Sequence, residues 1–437
     1  MKIGVPKESG RDELRVALIP EVVRSLTEKG LDVVVQSKAG EGSGHPDSEY
    51  KEAGASIGSA WDADIVVKVG VPTTAEIKKL KKGQVLIGHL APLTSAETNK
   101  ALAAGNVTAF AMESIPRITR AQAMDALSSQ ANVAGYAAAL LAAREAGRFF
   151  PMMTTAAGTV APAKVLVLGA GVAGLQAIAT AKRLGAVVTG FDIRRAAWEQ
   201  IASLGGRPLE LDFIPDAEAE GGYARPLTEE ENEKVREALA ENAAKQDVII
   251  TTAQIPGRPA PILLTKQAVA NMSPGSVIVD LAGDSGGNCE LTKAGQTVVS
   301  SNGVKVISPT NLPSDMAAHA SQLYAKNIEN LLGLLIDEDG ELTLNFDDEI
   351  IDAACIAHEG AIRGERTAGY GEPLTARKTA AKRSSSAKRA GSTKAPAKKA
   401  TAKKAPAKKA AAKKPAAKKP AAKKATTRKA APKKGKS

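Results

Sequence analysis

Three glycines at the spacing Gly169-Ala170-Gly171-Val172-Ala-Gly174 follow the apolar run Lys164–Leu168 and precede helix-forming residues 175–184. Strand, glycine turn and helix in that order are what dinucleotide binding requires. Gly169 permits a tight turn, Gly171 lets backbone approach a pyrophosphate, and Gly174 lets the helix lie on the strand. The helix N-terminus then supplies amide donors and its dipole to the phosphates. Ala170 and Val172 therefore join the glycines as candidate cofactor-binding residues. A glycine turn without a ligand is the bland alternative, and the flanking strand and helix argue against it. Asp192 closes the next run, residues 186–192. A carboxylate there accepts from ribose hydroxyls and repels a 2′-phosphate, which favours NAD over NADP. Arg194 and Arg195 follow at once, and arginines can hold that phosphate. Asp192, Ile193 and Arg194 are thus carried together as nucleotide contacts.

The elements that must position these residues come in two series. Apolar runs of strand length fall at 2–5, 32–35, 65–69, 85–90 and 107–111, then at 164–168, 187–191, 247–251, 276–281 and 304–307. Helical stretches separate them, which reads as βαβ units with buried central strands. The expected fold is α/β, with two doubly wound Rossmann-like lobes joined by long helices. Residues 120–148, rich in Ala and free of Pro, predict one connecting helix. Residues 319–335 predict a second that crosses back to the first lobe. The division expected is 1–135, completed by 320–370, around a nucleotide-binding 136–319, with a tail at 371–437.

The tail differs physically from the rest. The formal net charge is +12, yet residues 377–437 hold 24 Lys/Arg and no Asp or Glu, leaving 35 basic against 47 acidic residues before them. Repeats such as PAKKA and AAKKP lack an apolar stripe, so burial cannot offset ordering entropy and disorder is expected. Lysine pairs without aromatics suit attraction to anionic lipid or nucleic acid; a solvated tail without a partner is the alternative. Cys289 and Cys355 give no disulfide framework, as in a reducing compartment. They and the scattered His45, His89, His319 and His358 show no metal spacing, so neither a metal nor a nucleophilic mechanism is expected. No signal peptide or membrane span is expected.

The segment Arg117-Ile-Thr-Arg-Ala-Gln122-Ala-Met-Asp125-Ala-Leu-Ser128 resembles the signature of the NAD(H)-binding component of proton-translocating NAD(P) transhydrogenases. So do Gly4-Val-Pro-Lys7-Glu8, Arg15-Val-Ala-Leu-Ile-Pro20, Gly40-Glu-Gly-Ser-Gly44, Gly221-Gly222-Tyr223-Ala224, Thr252-Ala-Gln254-Ile-Pro-Gly257 and the stretch from Asp280 through Asp284 to Cys289. The resemblance spans about residues 1–370. It implies that Gln122, Arg117 and Ser128 hold the nicotinamide, its ribose and the adjoining phosphate, with Asp125 fixing Arg117. It places Gly222 and Tyr223 on a lid and adds Gln254 to the nucleotide contacts. Gln122, Asp125, Arg117 and Tyr223 are the implied catalytic set. Helix-start capping is the plainer account of Gln122 and Asp125. Hydride transfer between two nicotinamides needs rings held in contact, not an acid–base pair. The resemblance further implies NADP(H) on a partner subunit, a membrane-spanning subunit, a homodimer, and a peripheral position at the cytoplasmic face of the inner membrane.

The enzyme alternative is alanine dehydrogenase, related in fold. Arg15 and His89 stand where that enzyme holds a substrate carboxylate and carbonyl, and Asp284 where it has a catalytic carboxylate. Its substrate lysine aligns with Gly70 here, although Lys68 shares the strand-face parity. For His89 a strand-end residue without chemistry, and for Asp284 a turn role, compete. The alternative of another class is a polyanion-binding protein that keeps a nucleotide fold as scaffold.

Overall fold

A computed structural model describes residues 1–364 except 11, 212 and 214–226. Two sheets organise it. In the seven-stranded sheet the order is Arg207–Pro208, Val187–Phe191, Lys164–Leu168, Val248–Thr251, Val277–Asp280, Lys305–Ile307 and Thr297–Val299. All pairings are parallel except the last. The chain leaves Lys164–Leu168 toward one side and returns to Val248–Thr251 on the other, so a topological switch point lies between these two strands. The register puts Phe191 and Thr251 level with Leu168. Hence the next residues, Asp192, Gly169 and Thr252, emerge together at one edge.

The eight-stranded sheet repeats the plan. Its order is Ala361–Ile362, Cys355–His358, Thr108–Ala111, Val85–Gly88, Ile65–Val67, Lys2–Val5, Asp32–Val35 and Ser56–Ile57. Its switch point lies between Lys2–Val5 and Ile65–Val67. The chain returns to this sheet late: Cys355–His358 pairs antiparallel with Thr108–Ala111. Both cores come from Val, Ile, Leu and Ala, as the central strands predict. Val165, Leu166, Val167 and Leu168 are wholly buried, each Val or Leu contributing about 1.5–3 kcal/mol. The short edge strands at 56–57, 207–208, 297–299 and 361–362, and a separate hairpin of Met153–Thr155 with Gly158–Val160, lie outside the runs read from the sequence. Strands so short leave almost no alternation to read.

The helix expected over 120–148 is divided. A 3-10 turn spans Thr119–Met124, and the α-helix runs Ala126–Glu145. The cause is Asp125, whose carboxylate accepts from the Ser128 amide at 2.9 Å and caps the helix. That helix packs on Val172–Arg183 almost backbone to backbone. A Cβ on Gly135 would lie 2.1 Å from the Ala173 carbonyl oxygen, which explains the small residues along both. A second long helix, Ala317–Leu335, packs against it and into the first core. No helix among the described residues is long and apolar enough to cross a membrane.

Candidate nucleotide site

The glycine loop sits at the switch point of the seven-stranded sheet, and each glycine has a distinct physical reason. Gly169 has φ +95°, and a Cβ there would lie 2.7 Å from Thr252 Oγ1. A Cβ on Gly174 would lie 1.8 Å from the Gly169 carbonyl oxygen, so only glycine lets this helix approach its strand. A Cβ on Gly171 would meet nothing within 4 Å. Its lack of a side chain answers to something outside the protein. Gly171 is also the N-cap of Val172–Arg183 and offers no side-chain acceptor to the first-turn amides. These orphan donors and the helix dipole suit an anion. The residues present therefore fit a dinucleotide pyrophosphate.

Asp192, buried, is fixed beside the loop. Its Oδ2 accepts from the Ala170 amide at 2.8 Å and its Oδ1 from the Arg194 amide at 2.9 Å. The Arg194 side chain turns back on the same carboxylate, with Nε to Oδ1 at 2.9 Å and Nη2 to Oδ2 at 2.8 Å. Ile193 packs against the core beneath. Thr252 donates to the Gly169 carbonyl at 3.0 Å, and exposed Gln254 donates to the Leu281 carbonyl at 2.8 Å. Gln254 and Thr252 share a cleft with Ala131 and Ala134 of the connecting helix. Ser128, which donates to Asp125 Oδ2 at 2.5 Å, stands one turn before Ala131. Gln122 and Arg117 are exposed on the 3-10 turn and the loop ahead of it. Asp125 serves here as a helix cap; the orienting cluster thus lies at the entry of the helix that walls the cleft. Gly222 and Tyr223 lie outside the described residues.

Two supports were missed in the sequence. Asp280 accepts from the amides of Ala282, Asn288 and Cys289 and from Thr292, tying the 282–289 loop to its strand. Asn288 exchanges hydrogen bonds with the Ala253 backbone, which holds the segment carrying Gln254. The only local signal was an acidic strand end before a glycine-rich loop. Asp284 is exposed on that loop, and desolvation alone lifts its carboxyl above the usual range.

The corresponding edge of the first lobe is filled with internal pairs. Lys68, fully buried, donates to Glu8 at 2.8 Å and Glu76 at 3.2 Å. Burial outweighs Lys68 in lifting the Glu8 carboxyl. For Glu76 burial is overcome by the Thr73 amide and Lys68, which together lower it. Arg15 grips Glu13 through Nε at 2.7 Å and Nη2 at 2.6 Å, and also bonds Gln130 and Asn311. His89 lies 3.7 Å from Glu113 and stacks near Tyr324 at 5.2 Å between centroids. Tyr324 donates to the Lys68 carbonyl at 2.7 Å.

Two doubly wound lobes with a dinucleotide loop in the second define an oxidoreductase architecture. The models of the alanine dehydrogenase/PNT N-terminal and C-terminal domains match residues 4–134 and 138–365. The chain belongs to the alanine dehydrogenase/PNT family. It is 48% identical over 384 residues to an NAD(P) transhydrogenase alpha subunit of Rhodospirillum rubrum, covering 85% of this chain and all of that one. The solved transhydrogenase of Sinorhizobium meliloti superposes with a TM-score of 0.75 at 47% identity, over 83% of this chain and 100% of that one. A solved L-alanine dehydrogenase superposes with a TM-score of 0.69 at 28% identity, over 85% and 99%. The expected α/β class and family resemblance are borne out.

Proposed function

We propose that this chain is the NAD(H)-binding alpha subunit of a proton-translocating NAD(P) transhydrogenase, exchanging hydride with NADP(H) held by a partner subunit. The observation that carries this is the glycine loop with Gly171 facing open space, set beside Asp192 at the switch point. The nicotinamide supplies the hydride chemistry. The protein binds and orients: Gly169, Ala170, Gly171, Val172 and Gly174 take the pyrophosphate, and Asp192, Ile193 and Arg194 line the adenosine side. Arg117, Gln122, Asp125, Ser128, Gly222, Tyr223 and Gln254 present the ring. No proton transfer is asked of any of them.

The internal pairing of the first lobe speaks against an alanine dehydrogenase. Lys68 is consumed by two carboxylates and Arg15 by Glu13, so neither ammonium nor guanidinium is offered to an amino acid. In the test, NADH and an NADP⁺ analogue are supplied to the chain with and without an NADP-binding partner subunit. Transfer is expected only with the partner, and Gln122→Asn slows it more than it weakens NADH binding. Robust L-alanine oxidation by the isolated chain would overturn the assignment.

A membrane-spanning partner places the chain peripherally, at the cytoplasmic face of the inner membrane. The chain divides into 1–135 with 320–370, the NAD domain 136–319, and the basic segment 371–437. The hairpin at 153–160, with exposed Met152, Met153 and Val160 beside exposed Phe149, supports a homodimer by offering apolar surface to a second copy. Residues 371–437 lie outside the described residues; their charge suits anionic lipid or nucleic acid. Ending the chain at Pro373 should abolish salt-sensitive adhesion to duplex DNA or anionic vesicles and leave NADH affinity unchanged.

A further inference from the structure

The Asp192 carboxylate meets its own protein before it meets any ligand. A carboxylate has two oxygens and about four acceptor positions. Two of them are used by the backbone amides of Ala170 and Arg194, which fix the group at the strand end. The other two are used by Arg194, one by Nε at 2.9 Å and one by Nη2 at 2.8 Å. This fork of parallel donors has the shape of a vicinal diol seen by the same carboxylate. Arg194 therefore occupies the acceptor positions that the two ribose hydroxyls of an adenosine would use. Its Nη2 also reaches the Ala170 carbonyl at 3.3 Å, so the side chain lies across the start of the glycine loop.

We propose that Arg194 is the internal competitor of the adenosine ribose and the residue that sets the choice between NAD(H) and NADP(H). The proposal rests on the reading of this loop as a dinucleotide site. When NAD(H) binds, its diol replaces the guanidinium on Asp192, and both acceptors stay satisfied. A 2′-phosphate cannot make that exchange, because it brings acceptors and negative charge to a carboxylate. Asp192 thereby does two things: it receives the diol, and it keeps Arg194 folded back from a phosphate. Without the Asp192 charge the guanidinium has lost its partner beside the ribose, with Arg195 the next residue along. The site then carries the cationic character that a 2′-phosphate needs.

The test compares NADH and NADPH titrations of the full chain, followed by nucleotide fluorescence, for the unmutated protein, Arg194→Ala, Arg194→Lys, Asp192→Asn and the double change Asp192→Asn/Arg194→Ala. Removing the competitor in Arg194→Ala should tighten NADH by about threefold to tenfold. Arg194→Lys, which keeps the charge but loses the fork, should fall between. Asp192→Asn should weaken NADH and tighten NADPH by about tenfold, and the double change should cancel the NADPH gain. Unchanged or weaker NADH binding by Arg194→Ala overturns the proposal, as does an Asp192→Asn protein with no Arg194-dependent gain for NADPH. Absence of NADH binding by the unmutated chain overturns the dinucleotide-site reading, and the proposal with it.

Discussion

The two lobes share one plan and use it oppositely. Each has parallel strands, a switch point and polar residues gathered where the strands end. In the first lobe these residues answer one another: Lys68 with Glu8 and Glu76, Arg15 with Glu13, His89 with Glu113. In the second, the loop leaves a helix N-terminus without a side-chain cap and a glycine facing open space. Topology alone therefore does not make a binding site. What matters is whether the donors and charges at the strand ends have already been satisfied from within.

The largest effect should come from breaking the first lobe's pairs. Lys68→Ala leaves Glu8 and Glu76 buried without their cation, and truncating one member of a buried pair costs about 3–5 kcal/mol. Thermal melts should show this loss, while NADH affinity at low temperature stays within error of the unmutated value. Gly171→Val reverses the pattern. Its added side chain points into open space, so the melting temperature should hold while NADH affinity falls by about tenfold or more. Loss of stability instead would mean that Gly171 is a structural residue like Gly174.

Smaller effects sharpen the same contrast. Asp125→Ala removes a helix cap and should cost about 1 kcal/mol in denaturant titration. If Asp125 acts only as that cap, Asp125→Ser should restore both stability and transfer. Acid should act mainly on the first lobe. Glu13 is buried, which would raise its carboxyl, but Arg15 holds it below the ordinary 4.5. Glu113, likewise buried, is held below 4.5 by His89. Their lowered values mean stability that is complete above about pH 4.5 and lost as pH falls through them. Glu8 works the other way, since burial raises it and its ionised form is disfavoured by folding. Glu13→Gln should flatten the fall in melting temperature between about pH 5 and about pH 3.

Much of the second site was legible because its chemistry is local. Strand, glycines and helix lie within residues 164–184, and Asp192 ends the very next strand. The long apolar strands were legible for the same reason. The first lobe's pairs were not, because Glu8 and Lys68 are 60 residues apart and meet only through the parallel register of their strands. The break at Asp125 was hidden in an alanine-rich stretch, where capping competes with high helix propensity on both sides. The direction of Arg194 was hidden as well: a sequence shows that it follows Asp192, not that it folds back upon it.

Hydrogen exchange measured with and without saturating NADH bears most directly on the contrast between the lobes. The predicted result is protection at 169–174, 192–195 and 252–254, with the strand ends around Glu8, Lys68 and His89 unchanged. Protection at those first-lobe strand ends, with the glycine loop unaffected, would contradict it.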